Sequence, residues 1–352
     1  MNQKVTYREQ TDIENTLKLR EVLKTLPKFC QDYFRAISTT TTTKTRISYA
    51  YDIRIFFQFL LDVNPSLKNQ SMDQIPLETL DQVKAVDLEE YLEYLKVYNN
   101  GEKLETNGER GLKRKISALR SFYAYYFKHE MIRTNPTVLI DVPKIHQKSI
   151  IRLDTDEVVL LLDYIEHAGD HLTGQKRVYY EKTKERDLAL VTLLLGTGIR
   201  VSECVGLDLE DVDFKNNGIK VTRKGGNEMV VYFGEEVEAS LKRYLEIREG
   251  ITPLAGHEHA LFLSSQRRRI GVQAVENLVK KYAREVTTTK KITPHKLRST
   301  YGTALYQETG DIYLVADVLG HKDVNTTKKH YAALDDSRRR QAASAVRLRE
   351  ED

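Results

Sequence analysis

Ile219-Lys220-Val221-Thr222-Arg223-Lys224 and Met229-Val230-Val231-Tyr232-Phe233 flank Gly225-Gly226-Asn227. β-Branched and aromatic residues on both sides of a glycine-containing turn predict an antiparallel hairpin with Lys224 at its tip. Ala260-Leu261-Phe262-Leu263 is read as a third strand. No other convincing strand signal is found in the 352 residues. At roughly 150 residues per domain, the chain reads as mainly α in two domains, the second an α-rich domain with one small antiparallel β-sheet.

Upstream of the hairpin the patterns are helical. The threonine run Thr39–Thr43 reads as a loop and helix N-cap, because threonine hydroxyls accept from orphan amides there. Ile53, Phe56, Phe57, Leu60 and Leu61 follow at helical spacing, and Asn64-Pro65 closes that segment. Leu88, Tyr91, Leu92 and Leu95 predict a helix over 87–98. Ile116, Leu119, Tyr123 and Tyr126 predict another over about 110–128. Lys113, Arg114, Lys115 and Arg120 lie on this last helix, either as a solvated face or as phosphate contacts.

Asn135-Pro136 stops the helical region, and Asp141-Val142-Pro143-Lys144 reads as an extended linker, since proline disfavours helix just before itself. A new pattern starts at Asp154. Gly169–Glu185 is polar and is expected to be a long loop or small insertion, and Leu188–Leu195 a buried helix. Helices are expected again from Val272 to the end.

Composition narrows the classes. The chain carries 55 Lys and Arg against 51 Asp and Glu, a net +4, with 40% apolar residues, which excludes wholesale disorder. Residues 1–150 hold 23 basic against 19 acidic residues and the remainder 32 of each, so neither half has a strongly basic balance. Cys30 and Cys204 make no disulfide framework and suit a reducing compartment. No apolar run approaches 18 residues and no signal-peptide pattern opens the chain, so a cytoplasmic protein without membrane partners is expected.

Familiar nucleotide and metal motifs are missing. Leu195-Gly196-Thr197-Gly198 is too short for a dinucleotide fingerprint, and no phosphate-cradling Gly-rich loop with Lys-Ser/Thr occurs. His257-Glu258-His259 reads as a polar loop, because adjacent positions rarely converge on one ion. What stands out is a series of cationic groups followed by a tyrosine: Arg200, Lys224, His295, Arg298, His321 and Tyr331. His295 and Arg298 are three apart and share a helix face. Singly, each has a structural explanation; Arg200, for instance, would pair with Glu203.

In their order and spacing, Gly198-Ile199-Arg200-Val201-Ser202-Glu203, Lys224, Thr293-Pro294-His295-Lys296-Leu297-Arg298, Leu319-Gly320-His321 and Tyr331 resemble the tyrosine recombinases, the phage-integrase-like enzymes. The resemblance spans about 150–340. Lys184-Glu185-Arg186-Asp187-Leu188-Ala189 and Val221-Thr222-Arg223-Lys224-Gly225-Gly226 look like the Xer branch, especially its single-recombinase kind. Ser299 stands where the family often has histidine, and so does Ala333 after the tyrosine; neither replaces a core catalytic group.

The resemblance implies an N-terminal extension (1–27), a helical core-binding domain (28–142), a linker (143–149) and a catalytic domain (150–352) with an exchange helix at about 337–349. It implies Tyr331 as nucleophile, giving a 3′-phosphotyrosine, with Arg200, Arg298 and His321 clamping the phosphate. Lys224 would be the general acid and His295 would assist proton transfer. Lys113, Arg114, Lys115 and Arg120 would contact DNA from the first domain. The implied partners are double-stranded DNA with a specific recombination site, copies of the chain in a homotetramer joined through the C-terminal helix, and a septal DNA translocase. No metal, ATP or other cofactor is implied. The implied role is Xer-like chromosome dimer resolution through a Holliday junction, with mobile-element integration, excision or DNA inversion as alternatives. A type IB topoisomerase and a non-catalytic DNA-binding protein are further readings. About 25 residues precede the core-binding helices, too few for an added arm-site domain, which favours Xer or a simple integrase.

Overall fold

The computed structural model describes residues 6–327, apart from 68, 102, 143, 147–149, 224–225, 322 and 326. The chain divides into two compact units, residues 1–148 and 149–352.

The first unit is helical: α1 (Tyr7–Lys24), α2 (Cys30–Ala36), α3 (Thr43–Val63), the short α4 (Thr79–Gln82), α5 (Ala85–Tyr94) and α6 (Glu109–Lys128). Thr42 caps α3, its hydroxyl accepting from the amide of Thr45 at 3.2 Å. Asn64 ends that helix. The core is aromatic: Phe57, Phe122 and Tyr126 meet Phe29, and Tyr33 packs edge-on against Phe122 at 5.2 Å. Its hydroxyls are not wasted, since Tyr33 donates to Ser121 at 2.8 Å and Tyr126 to the Phe29 carbonyl at 2.7 Å.

Two sequence expectations need correcting here. Residues 7–24, read as part of an extension, form α1 and bury Leu19 and Val22 in this core. The helix expected over 87–98 ends at Tyr94, and Val97–Asn100 (β1) pairs antiparallel with Lys103–Thr106 (β2). The signal was Asn100-Gly101, a hairpin dipeptide, with Gly101 at φ +67°.

The basic cluster on α6 divides. Lys113 is exposed. Arg114 and Lys115 both reach Asp52 on α3; Lys115, 6% exposed, sits 3.3 Å from that carboxylate and 5.8 Å from the centre of the Tyr98 ring. Burial pushes the Asp52 carboxyl up and the Lys115 ammonium down from their usual ranges, and each opposes the other's shift. Arg120 donates to the carbonyls of Thr137 and Ile140, at 3.1 and 2.7 Å, and so holds down the end of the unit. Lys115 is therefore an internal ion-pair residue and Arg120 a backbone anchor. The expectation that both face DNA is replaced by these roles.

The second unit contains α7 (Thr155–His167), α8 (Gly174–Thr197), α9 (Val201–Gly206), β3 (Val212–Asp213), β4 (Gly218–Thr222), β5 (Glu228–Tyr232), α10 (Glu235–Glu249), α11 (Val272–Val286), α12 (Pro294–Thr309) and α13 (Ile312–Leu319). The β4–β5 hairpin forms as read, with Ile219 opposite Val231. The third strand is β3, pairing Val212 with Ile219; Ala260 and Leu263 make only isolated bridges. Much of the stretch read as a loop, 174–185, is the first half of α8. Its early turns are largely solvated, so they lack an apolar stripe, yet Lys, Glu and Arg are good helix formers. The second half, Leu188–Leu194, is buried and runs through the core of the unit. At its start Arg186 pairs with Asp187, which also accepts from the Tyr282 hydroxyl at 3.0 Å.

Asp52→Ala leaves Lys115 buried without its counter-charge and is expected to cost about 3 kcal/mol, measured by urea unfolding. The double variant Asp52→Leu/Lys115→Met should recover most of that loss. A single variant within 1 kcal/mol of the parent would show that the pair adds little.

Candidate functional site

The site is built around the C-terminal end of α13. This helix starts at Asp311, whose carboxylate accepts from the amides of Tyr313 and Leu314, and stops at Gly320, left-handed at φ +61°. The Gly320 amide returns to the Asp317 carbonyl at 2.8 Å and the His321 amide to that of Ala316 at 2.9 Å, a Schellman closure. His321 is thus fixed by the residues that end the helix. Its Nδ1 lies 2.7 Å from Oγ1 of the buried Thr327.

The next four carbonyls, 317–320, each take an arginine. Arg223 donates to Asp317 at 3.2 Å and to Val318 at 2.6 Å. Arg298 donates to Leu319, and Arg200 to Gly320 at 3.2 Å. A helix C-terminus presents unsatisfied carbonyls and a partial negative charge, so it attracts cations; three guanidinium groups use it here.

Each arginine is held from a different element. Arg200 immediately precedes α9, and Glu203 in its first turn accepts from both the Arg200 amide and Nη1, each at 2.7 Å. That carboxylate is buried, so Arg200 is oriented by a fixed counter-charge. Arg298 lies in the first turns of α12, 4% exposed, and also donates to the Gly198 carbonyl at 2.5 Å. Gly198 ends α8 with φ +60°, and a Cβ there would fall 2.3 Å from the Tyr301 ring. His295 is exposed on α12, at its second position after Pro294. Arg223 follows β4. Burial pulls its pKa down, Glu203 works against that shift, and the nearby Arg200 adds to it.

Of the sequence-predicted set, the structure therefore brings Arg200, Arg298 and His321 to one turn, with His295 on the helix of Arg298. Lys224, Tyr331 and the segment 337–349 lie outside the described residues. Sequence reasoning missed Arg223 and Thr327. Adjacency to Lys224 was the available signal for the first; only the fold could show the second. His257-Glu258-His259 is a polar loop in which His259 meets Glu210.

With this geometry in view, comparison with known proteins defines the class. Residues 152–338 match the model of the phage integrase family, and the chain belongs to that family. Within it the chain is a tyrosine recombinase of the Xer type, an enzyme of site-specific DNA recombination. It is 30% identical over 348 residues to tyrosine recombinase XerS of Streptococcus mutans, covering 92% of this chain and 96% of that one. It is 33% identical over 349 residues to tyrosine recombinase XerC of Caldanaerobacter subterraneus, covering 95% and 91%. The fold is similar to that of the XerH site-specific recombinase bound to palindromic difH substrate (TM-score 0.63, 22% identity, 87% of this chain and 80% of that one). It is also similar to that of a lambda integrase dimer bound to a core site (TM-score 0.61, 16% identity, 86% and 94%).

Gly198→Ala is expected to lose about 2 kcal/mol or more in urea unfolding, part from the left-handed backbone and part from the ring. A loss below about 0.5 kcal/mol would show that turn and ring both yield.

Proposed function

We propose that the chain cuts and rejoins duplex DNA at a specific site, with Tyr331 as nucleophile and the α13 terminus as the phosphate cradle. The observation that supports this best is the convergence of Arg200 and Arg298 on consecutive carbonyls, 320 and 319, that lead directly into His321. Two permanently charged forks and an imidazole are what a phosphodiester needs, because charge spreads over its non-bridging oxygens in the transition state. On this reading the Arg200 and Arg298 guanidinium groups are the donors for the phosphate.

A tyrosine hydroxyl with a pKa near 10 is about 0.1% ionised at pH 7, so forming the phenolate costs about 4 kcal/mol. The neighbouring cations lower that cost, and His295 assists the proton transfer. The Tyr331 oxygen attacks phosphorus, the bond to the 5′ oxygen breaks, and Lys224 delivers a proton to that leaving oxygen. The phosphotyrosine conserves the bond energy until a 5′-hydroxyl from the partner strand attacks it, so rejoining needs no ATP. Arginines supply the charge that a metal would otherwise bring.

On this reading each unit contacts duplex DNA, largely through phosphates, with Lys113 and the half-exposed Arg114 the candidates from α6. Four copies act on two sites through the 337–349 segment, and exchange proceeds by a Holliday junction. Likeness to the tyrosine recombinases XerS and XerC over nearly the whole chain supports the Xer type; within it our reading is chromosome dimer resolution in the cytoplasm, with a septal DNA translocase as the activating partner. Among the described residues no helix is long and apolar enough to cross a membrane.

The test is a nicked suicide duplex carrying a site that the chain itself selects from random-sequence DNA. A covalent adduct should form and map to Tyr331, Tyr331→Phe should form none, and EDTA should leave cleavage intact. An adduct with Tyr331→Phe overturns the nucleophile, and loss of cleavage in EDTA overturns the metal-free route. Glu203→Gln, which removes the charge that orients Arg200, should slow adduct formation roughly 10- to 100-fold with little change in DNA affinity. An unchanged rate would show that Arg200 needs no such support.

A further inference from the structure

Arg223 is not among the residues assigned above to the reaction, yet it links two parts of the site that lie far apart in sequence. Its backbone closes the hairpin: its amide donates to the Asn227 carbonyl at 2.8 Å, and its own carbonyl accepts from Gly226 at 3.0 Å. Arg223 thus ties the end of β4 to Gly226 and Asn227 on the returning side of the hairpin. Its side chain crosses to α13 and bonds the Asp317 and Val318 carbonyls, 94 and 95 positions further along the chain.

The approach is close enough to dictate sequence. A Cβ at residue 320 would lie 1.4 Å from Nη1 of Arg223, so Gly320 is required for this contact as well as for its left-handed backbone. The Arg223 Nε is buried and has no hydrogen-bond partner among the described residues. The two-pronged bond to the helix end is kept in spite of that buried donor. A lysine would bring one nitrogen in place of the two, Nη1 and Nη2, that reach these carbonyls in a fixed planar fork.

We infer that Arg223 is a positioning residue for strand cleavage: it fastens the base of the hairpin loop to the turn carrying His321, and so sets where the next residue, Lys224, delivers its proton. Lys224 enters only through its peptide bond to Arg223. The inference rests on the reading of Lys224 as general acid. In that step the bond from phosphorus to the 5′ oxygen breaks, and the Nζ proton passes to that oxygen. With sulfur at the bridging 5′ position the leaving group departs as a thiolate and needs no proton.

The suicide duplex is therefore made in two forms, with oxygen or with sulfur at the bridging 5′ position, and single-turnover adduct formation is measured with the full chain. Arg223→Ala should be slowed roughly 10- to 100-fold on the oxygen substrate and return to within a few-fold of the parent on the sulfur one. Lys224→Ala should behave in the same way, with a larger defect on oxygen. Equal slowing of Arg223→Ala on both substrates, beside a sulfur-rescued Lys224→Ala, overturns the inference and leaves Arg223 as a support for the His321 turn alone. A Lys224→Ala defect that sulfur does not relieve removes the general-acid reading itself, and the role of Arg223 with it. Thermal unfolding accompanies each variant. Should Arg223→Ala not fold, Arg223→Gln, which keeps most of the volume without the fork, is held to the same outcomes.

Discussion

The carbonyls at the C-terminal end of α13 are the constraint on which the site depends. Most helix ends satisfy such groups with water or a single cap. Here Gly320 closes the helix in a Schellman turn, and the carbonyls of residues 317 to 320 accept from Arg223, Arg298 and Arg200. Three guanidinium groups crowd one turn; burial is the main cause of the lowered Arg223 pKa, and the like charge of Arg200 adds to it. The carbonyls of residues 317–320, the negative end of a helix dipole and the buried Glu203 offset that crowding. The result is a concentration of positive charge on one turn, which is what the proposed phosphate cradle requires.

The remainder of the second unit serves this arrangement. The buried second half of α8 delivers Gly198, whose carbonyl takes the other arm of Arg298. α9 begins at once, so that Glu203 can fold back on Arg200. β4 carries Arg223 to the same helix end, and Thr327 meets the His321 ring from the far side of the turn. The small sheet buries Ile219, Val221 and Val231. Its importance lies in bringing a hairpin to the site.

Much of this was legible in sequence, for a physical reason. The hairpin at 219–233, the cap at Thr42, the buried stretch 188–195 and the helix of Arg298 are set by local patterns of apolar spacing, turn residues and caps. Where local pattern is weak, the reading failed. The first half of α8 is largely solvated and shows no stripe, so it passed for a loop. The β1–β2 hairpin is short and mostly exposed, so its Asn-Gly turn was outweighed by the helical run before it. Lys115 looked like its neighbours on α6, and only the approach of Asp52 from α3 shows that its charge is used inside.

By itself the sequence indicated the class of protein, through the resemblance of the motifs around Arg200, Lys224, His295, Arg298, His321 and Tyr331 to those of the tyrosine recombinases. It also determined the mainly helical fold, because apolar periodicity is a local property. Net charge, at +4, misled as a measure, since it averages over a surface on which the relevant charges occupy one turn. Only the tertiary structure decided which cations face the site and which are spent elsewhere. A guanidinium acts over a few ångströms, and residues 200, 223, 298 and 321 come within that range solely because α8, α9, the hairpin, α12 and α13 pack as they do. That is why Lys115 left the list of DNA-contact candidates and Arg223 joined the residues that build the site.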